Sequence, residues 1–345
     1  MAGLRNLPCC LFESEGEKMS QNFQPRNPQR KMPEHSSDQK KKAKYKRGLR
    51  KSTIFLFLFV ALGIFSLVQL TRAASQTRAI QQEHQENLAL VNSAETAEPS
   101  AQPIFDEEVS AEPSTAESTP EPTVSATIVP TVTRVPNGYQ PQMLEKYAEL
   151  YQKNSDLVGW LKVNCLYRIN FAVVQGKNNY YMNHDFNKQE NANGSAFLDE
   201  TCKIWPKDDN LIIYAHNMKS GEMFGELNQL QNAEKLYQDP FVTFDTLYEQ
   251  GTYVPLAVFV CSVVQADNYF QFYVRNFKSE AAFDEYISRA RELSLLSLKT
   301  DAVYGDELLT LVTCYDQDNR QRLVVLLRKL RENETTETVK AAFFQ

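Results

Sequence analysis

The sequence predicts a mainly β domain outside the membrane, a barrel or sandwich with helical insertions, behind one N-terminal transmembrane helix. Three observations predict it. A charge-free apolar run follows a dense basic stretch near the N-terminus. A long segment rich in Pro, Ser, Thr and Glu comes next. Beyond residue 138, short runs rich in Val, Ile, Phe and Tyr alternate with a few helical patterns, the composition of a small closed or sandwiched sheet.

The anchor is read from charge. Residues 1–51 hold 13 Lys/Arg and 5 Asp/Glu, a net of +8, while the whole chain of 345 residues is −6, so residues 52–345 carry −14. An acidic main body excludes nucleic acid as a partner, because that requires a basic footprint. "KKKAKYKRGLRK" (residues 40–51) precedes "IFLFLFVALGIFSLVQL" (residues 54–70). The apolar run is at the short end of what spans a bilayer. Lys and Arg collect on the cytoplasmic side of a span, which puts the N-terminus inside and the bulk of the chain outside. "RAAS" (residues 72–75) weakly resembles a signal-peptide cleavage site, but the basic region before the apolar run is far longer than a signal peptide carries. The expected organisation is a basic cytoplasmic segment (1–51), an anchor (52–72), a stalk and linker (73–137), a folded domain (138–333) and a tail (334–345). Within the stalk, residues 71–92 are expected to continue the helix. Residues 93–136 have the composition of an extended, solvated spacer.

Inside the domain, "PQMLEKYAELYQKN" places Met143, Leu144, Tyr147, Leu150 and Tyr151 at helical spacing. Strands are expected at "FAVVQ" (171–175), "SAFLD" (195–199), "NLIIYA" (210–215) and "TYVPLAVFVCSVVQ" (252–265). "GEMFGELNQLQNAEKLYQDP" (221–240) reads as a helix or helix pair stopped at Pro240. "SEAAFDEYISRARELSLL" (279–296) is the clearest amphipathic helix, with Ser279 as its N-cap. The last two strands are "ELLTLVT" and "RLVVLLRKL", separated by a short polar loop.

Six cysteines occur: Cys9, Cys10, Cys165, Cys202, Cys261 and Cys314. Their spacing has no metal pattern. Four lie beyond the anchor, enough for two disulfides, or for three core residues and one reactive thiol. Cys314 ends a strand and Arg322 opens the next, so a hairpin between them would bring the two together. A guanidinium there lowers a thiol pKa and donates to an oxyanion. Arg320 competes for that role on charge alone. His216 follows a strand-like run and is suited to protonating a leaving amine. His184, in "YYMNHDF", is its internal rival, and His84 lies in the stalk. Asp316 and Asp318 in the polar loop admit a calcium reading, but two loop aspartates are more commonly just solvated. Tyr269, Phe270 and Tyr273 fit either a peptide groove or the core.

"TLVTC" followed by "RLVV" resembles the active-site signature of sortases, and "YAHNMKSGEMFGEL" resembles the histidine motif of their class B members. "NSDLVGWLKV", "VVQGKNNYYMNHDF" with "GSAFLD", and the helix at 279–296 are similar to class B as well. The likeness covers roughly residues 140–330. Ala215 stands where the motif has Gly, and Val312 where class B members often have Ser. The resemblance implies an eight-stranded β-barrel and a membrane-anchored cysteine transpeptidase of the Gram-positive surface, with no cofactor and no metal. It implies Cys314 as nucleophile, His216 as acid and base, and Arg322, selected by "RLVV", as oxyanion donor; Thr313 is a further candidate for shaping the peptide site. The implied partners are surface proteins with a C-terminal sorting signal, an amine of the peptidoglycan cross-bridge or of a pilin, and the lipid membrane. Two other classes, an exported cysteine protease or amidase and a non-catalytic binding scaffold, share much of this pattern.

Overall fold

The structure, a computed structural model, describes residues 37–97, 141–316 and 320–343. The chain divides into two compact units, one ending at Gln81 and the other running on from Gln82. The long helix α1 (Ser37–Ala97) carries the apolar run in the first unit, and its residues from Gln82 on belong to the second. Its large apolar side chains from Ile54 to Leu70 are exposed, and this is a helix long and apolar enough to cross a membrane. The helix extends to Ala97, five residues past the stretch expected from sequence.

In the second unit eight strands close a barrel. They are β1 (Leu157–Val163), β2 (Asn170–Val174), β3 (Ala196–Leu198), β4 (Asn210–Tyr214), β5 (Val242–Thr246), β6 (Thr252–Ser262), β7 (Leu308–Cys314) and β8 (Gln321–Lys329). The order around the barrel is β1-β2-β3-β4-β7-β8-β6-β5. Most neighbours are antiparallel; β2 with β3 and β4 with β7 are parallel. Parallel neighbours need a long crossover, and those crossovers carry the helical insertions. The expected strands appear within a residue or so at most ends, except that β6 closes at Ser262. Sequence reading missed two, β1 and β5. Gly159 explains part of β1: a Cβ there would lie 2.1 Å from the Asp245 carbonyl oxygen of β5, so a close strand approach excludes any larger residue.

Four shorter helices decorate the barrel. Residues Glu145–Tyr147 form a 3-10 turn leading into α2 (Ala148–Lys153), and Gly225–Gln231 form another leading into α3 (Ala233–Gln238). Helix α4 (Glu280–Leu293) starts where Ser279 accepts a hydrogen bond from the Ala282 amide, 3.3 Å away. Phe283, Tyr286, Ile287 and Ala290 form its buried stripe. Phe270 is core: its ring lies 4.8 Å from Phe259 of β6 and 4.8 Å from Tyr286. Tyr269 and Tyr273 stay nearer the surface, their hydroxyls 3.0 Å apart. The expected tail forms a short helix, α5 (Thr336–Phe343), which buries Val339 and Phe343.

Candidate active site

Strand pairing brings the sequence candidates to one end of the barrel. β4 and β7 run parallel, with Tyr214 level with Val312. β4 ends at Tyr214 and β7 runs two residues past Val312, so His216 and Cys314, each two residues beyond this pair, come out at the same rim. β8 returns antiparallel to β7 and pairs Arg322 with Cys314, while β6 pairs Cys261 with Arg322 on its other side. Directly opposed residues point to the same face of a sheet. Cys314 and Arg322 therefore share a face, and one cleft at this rim is lined by His216, Thr313, Cys314 and Arg322, together with Met182, Tyr214 and Val312.

Each group has an environment that sets its chemistry. Arg322 is 2% exposed. Burial pulls its guanidinium below the usual range, and the charge of Asp316 opposes that. Its Nη1 donates to the Gln321 carbonyl at 3.0 Å. His216 is buried, and its Nε2 lies 2.6 Å from the Met182 carbonyl oxygen. A carbonyl only accepts, so Nε2 carries a proton. Burial lowers the pKa of His216, and the Met182 contact opposes this. A buried imidazole loses more by desolvation of its cation than it gains from a carbonyl dipole.

Cys165, Cys202 and Cys261 are free thiols. Burial pushes Cys165 up to about 11 and Cys202 up to about 12. Cys261 is likewise raised to about 12, even with Arg322 beside it. Thiols so displaced from neutrality are poor nucleophiles.

The structure separates the rival candidates. Arg320 is exposed, and its amide donates to Asp316 Oδ1 at 3.0 Å, as does that of Gln321 at 3.1 Å. Asp316 thus closes the loop; Asp318 lies outside the described residues. Among the described residues no cluster of three His, Cys, Asp or Glu side chains is arranged to hold a metal ion. His184 stacks on Tyr180 with ring centres 3.9 Å apart and is not in the cleft lining. The Thr313 hydroxyl donates to the Ala215 carbonyl at 2.8 Å, tying the end of β7 to the residue before His216.

Two contributors were not found from sequence. Asn217 Nδ2 donates to the Cys314 carbonyl at 2.7 Å, and Asn217 Oδ1 accepts from Asn228 Nδ2 at 2.8 Å. An amide side chain does both at once, its nitrogen donating and its oxygen accepting, and its place next to His216 was the available signal. The Met182 carbonyl is backbone and leaves no trace in side-chain chemistry. The His216 loop is further pinned where the Phe224 amide donates to the His216 carbonyl at 2.9 Å. Gly225 permits this fold-back, since a Cβ there would sit 2.2 Å from the Met218 oxygen.

A thiol, an imidazole and a guanidinium in one cleft can attack a carbonyl, shuttle a proton and hold an oxyanion. Residues 162–329 match the family model described as a Sortase domain. The chain is 24% identical over 196 residues to Sortase B of Staphylococcus aureus, covering 56% of this chain and 78% of that one. It is 29% identical over 191 residues to Sortase B of Listeria monocytogenes, covering 55% and 75%. The crystal structure of the Staphylococcus aureus Sortase B shares the fold, with a TM-score of 0.50 at 22% identity over 55% of this chain and 89% of that one. The chain belongs to the sortases, in class B, and is an enzyme of the cysteine transpeptidase type.

Proposed function

We propose that the protein is a membrane-anchored sortase that cuts a C-terminal sorting motif through a Cys314 thioester and passes the new C-terminus to an amine. The observation that carries this is the rim where β7 and β8 pair Cys314 with Arg322 and where His216 lines the same cleft. The reduced Cys314 thiolate attacks the carbonyl carbon of the scissile peptide bond. Arg322 donates to the oxyanion of the tetrahedral intermediate. His216, as imidazolium, gives its proton to the departing amine as the C–N bond breaks. The thioester that remains is attacked by the amine of a cross-bridge peptide or of a pilin lysine. His216 takes the proton from that amine, the C–S bond breaks, and an amide joins substrate to acceptor with the thiolate restored. Burial lowers the His216 pKa, so at neutral pH the imidazolium is a minority form, sustained by the neighbouring thiolate.

Thr313 lines the cleft and also holds the His216 strand end through its bond to Ala215. The apolar part of α1 serves as the anchor. The basic residues before it keep the N-terminus in the cytoplasm, with the barrel on the outer face. Domain boundaries follow the sequence reading, with the catalytic domain at 138–333.

The test is turnover of a sorting-motif peptide by the full chain under reducing conditions, with and without an added amine. A mass shift on Cys314 and amine-dependent ligation are expected. Amine-independent cleavage points to a protease, and an intact Cys314→Ala activity overturns the mechanism.

A further inference from the structure

Residues 82–97, the end of α1, pack on the barrel through side chains that the proposed chemistry does not use. Glu83 is 6% exposed. Its carboxylate accepts from the Phe186 amide and from Asn187 Nδ2, each at 3.3 Å. His84 lies with its ring 5.2 Å from that of Phe171 in β2. Asn87 Oδ1 accepts from Lys153 Nζ at 2.9 Å, and Val91 is buried.

Two routes lead from this helix to His216. The first runs through residues 181–186. Glu83 holds the Phe186 amide, and Asn154 Nδ2 holds the Phe186 carbonyl at 2.8 Å and the Tyr181 hydroxyl at 2.9 Å. Between Tyr181 and Phe186 sits Met182, whose carbonyl receives the His216 Nε2 proton. The second runs through rings. His84 meets Phe171, Phe171 lies 6.3 Å from Phe224, and the Phe224 amide binds the His216 carbonyl. The first route ends on the ring of His216 and the second on its backbone.

We propose that Glu83 and His84 are positioning residues, and that docking of residues 82–97 on the barrel sets the orientation and burial of the His216 imidazole. The inference rests on the reading of His216 as the acid and base. Because these residues follow the apolar run (54–70) in sequence, with only residues 71–81 between them, the state of the juxtamembrane helix would then reach the proton-transferring group. The docked face carries an internal cost that makes release accessible. Asn87 Nδ2 is buried with no hydrogen-bond partner, and burial disfavours the charged forms of both Glu83 and His84.

The experiment uses the full chain and follows three readouts. Amide exchange of residues 82–97 reports docking, the His216 ring resonance gives its titration, and peptide turnover gives kcat and KM. In His84→Ala the His216 titration is expected to rise by roughly half a pH unit as water reaches the ring. kcat is expected to fall about tenfold with KM unchanged, and His84→Phe, which keeps the ring contact, is expected to restore both. The triple variant Glu83→Ala/His84→Ala/Val91→Ala should exchange faster at residues 82–97. Faster exchange with an unmoved His216 titration overturns the proposal. So does unchanged exchange in the triple variant, since these side chains would then not hold the helix. If His216→Ala retained ligation, the functional reading would fail instead, while the His216 titration in the His84 variants would still decide the coupling.

Discussion

Replacing Arg322 with methionine should separate activity from stability. The guanidinium lies on a central strand, with Cys314 opposite it on one side and Cys261 on the other. As the proposed oxyanion donor it acts only once charge develops on the substrate oxygen. Losing such a donor costs about 10²–10³ in kcat, or about 2.7–4 kcal/mol of barrier. Stability moves the other way. Arg322 is 2% exposed, and its pKa is lowered chiefly by burial. A base with a depressed folded pKa is disfavoured as a cation by the fold, throughout the range in which the unfolded chain keeps it charged. Methionine removes that penalty and fills much of the volume. Exchanging a whole buried ion pair for packed apolar chains is neutral or stabilising by about 1–4 kcal/mol; here the Asp316 charge stays behind and the bond to the Gln321 carbonyl is lost, worth about 1 kcal/mol, so the net gain lies at the bottom of that range. The melting temperature should therefore hold or rise, at about 2–4 °C per kcal/mol for a domain of this size. Thioester formation by mass spectrometry and a circular-dichroism melt read the two effects. A variant that melts several degrees lower while acylating at near-normal rate would refute both halves of the reasoning.

Thr313→Val should leave the Ala215 carbonyl without its 2.8 Å donor in a buried site, costing about 1–3 kcal/mol, whereas Thr313→Ser should stay within a degree or two in the same melt. Equal melting of the two variants would remove the strand-tying role. Glu83 faces Asp185, Lys153 and the Phe186 and Asn187 donors, and burial followed by Asp185 raises it from 4.5 to about 7. An acid raised in the fold favours folding below its unfolded pKa, and the benefit is lost as pH rises through the folded value. Glu83→Gln should therefore stabilise by up to about 3 kcal/mol at pH 8 and by much less at pH 5; a gain independent of pH would show that Glu83 is not titrating in the docked state.

The parts of the fold legible in sequence were those whose burial is one-sided or total. β4, β7 and β8 are predominantly apolar runs because both faces are covered. α4 shows a clean helical stripe with a capping serine. β5 was hidden because "VTFDT" alternates with Thr and Asp and sits between a helix and a turn. β1 was hidden by Gly159, which lowers strand propensity for a reason found only across the sheet. In the site, Cys314, His216 and Arg322 were legible as reactive types at strand ends. Asn217 was not, because its role depends on a carbonyl that arrives from 97 residues away.

The parallel pairing of β4 with β7 is the step that turns these residues into one site. Had the two strands been antiparallel, His216 and Cys314 would lie at opposite ends of a barrel wall five to seven residues long, roughly 15–20 Å apart at about 3.3 Å per residue. Parallel pairing demands a crossover, and the chain between β4 and β7 supplies it with β5, β6 and α4. β6 then flanks β8 and places Cys261 against Arg322, so the crossover that aligns the imidazole with the thiol also buries the guanidinium. Three short loops at one rim therefore need only local bonds to finish the geometry. Those bonds are Thr313 to Ala215, Asn217 to the Cys314 carbonyl and His216 to Met182. Only the last reaches beyond the β4–β7 rim, which makes the segment carrying Met182 the place where outside influence on His216 can enter.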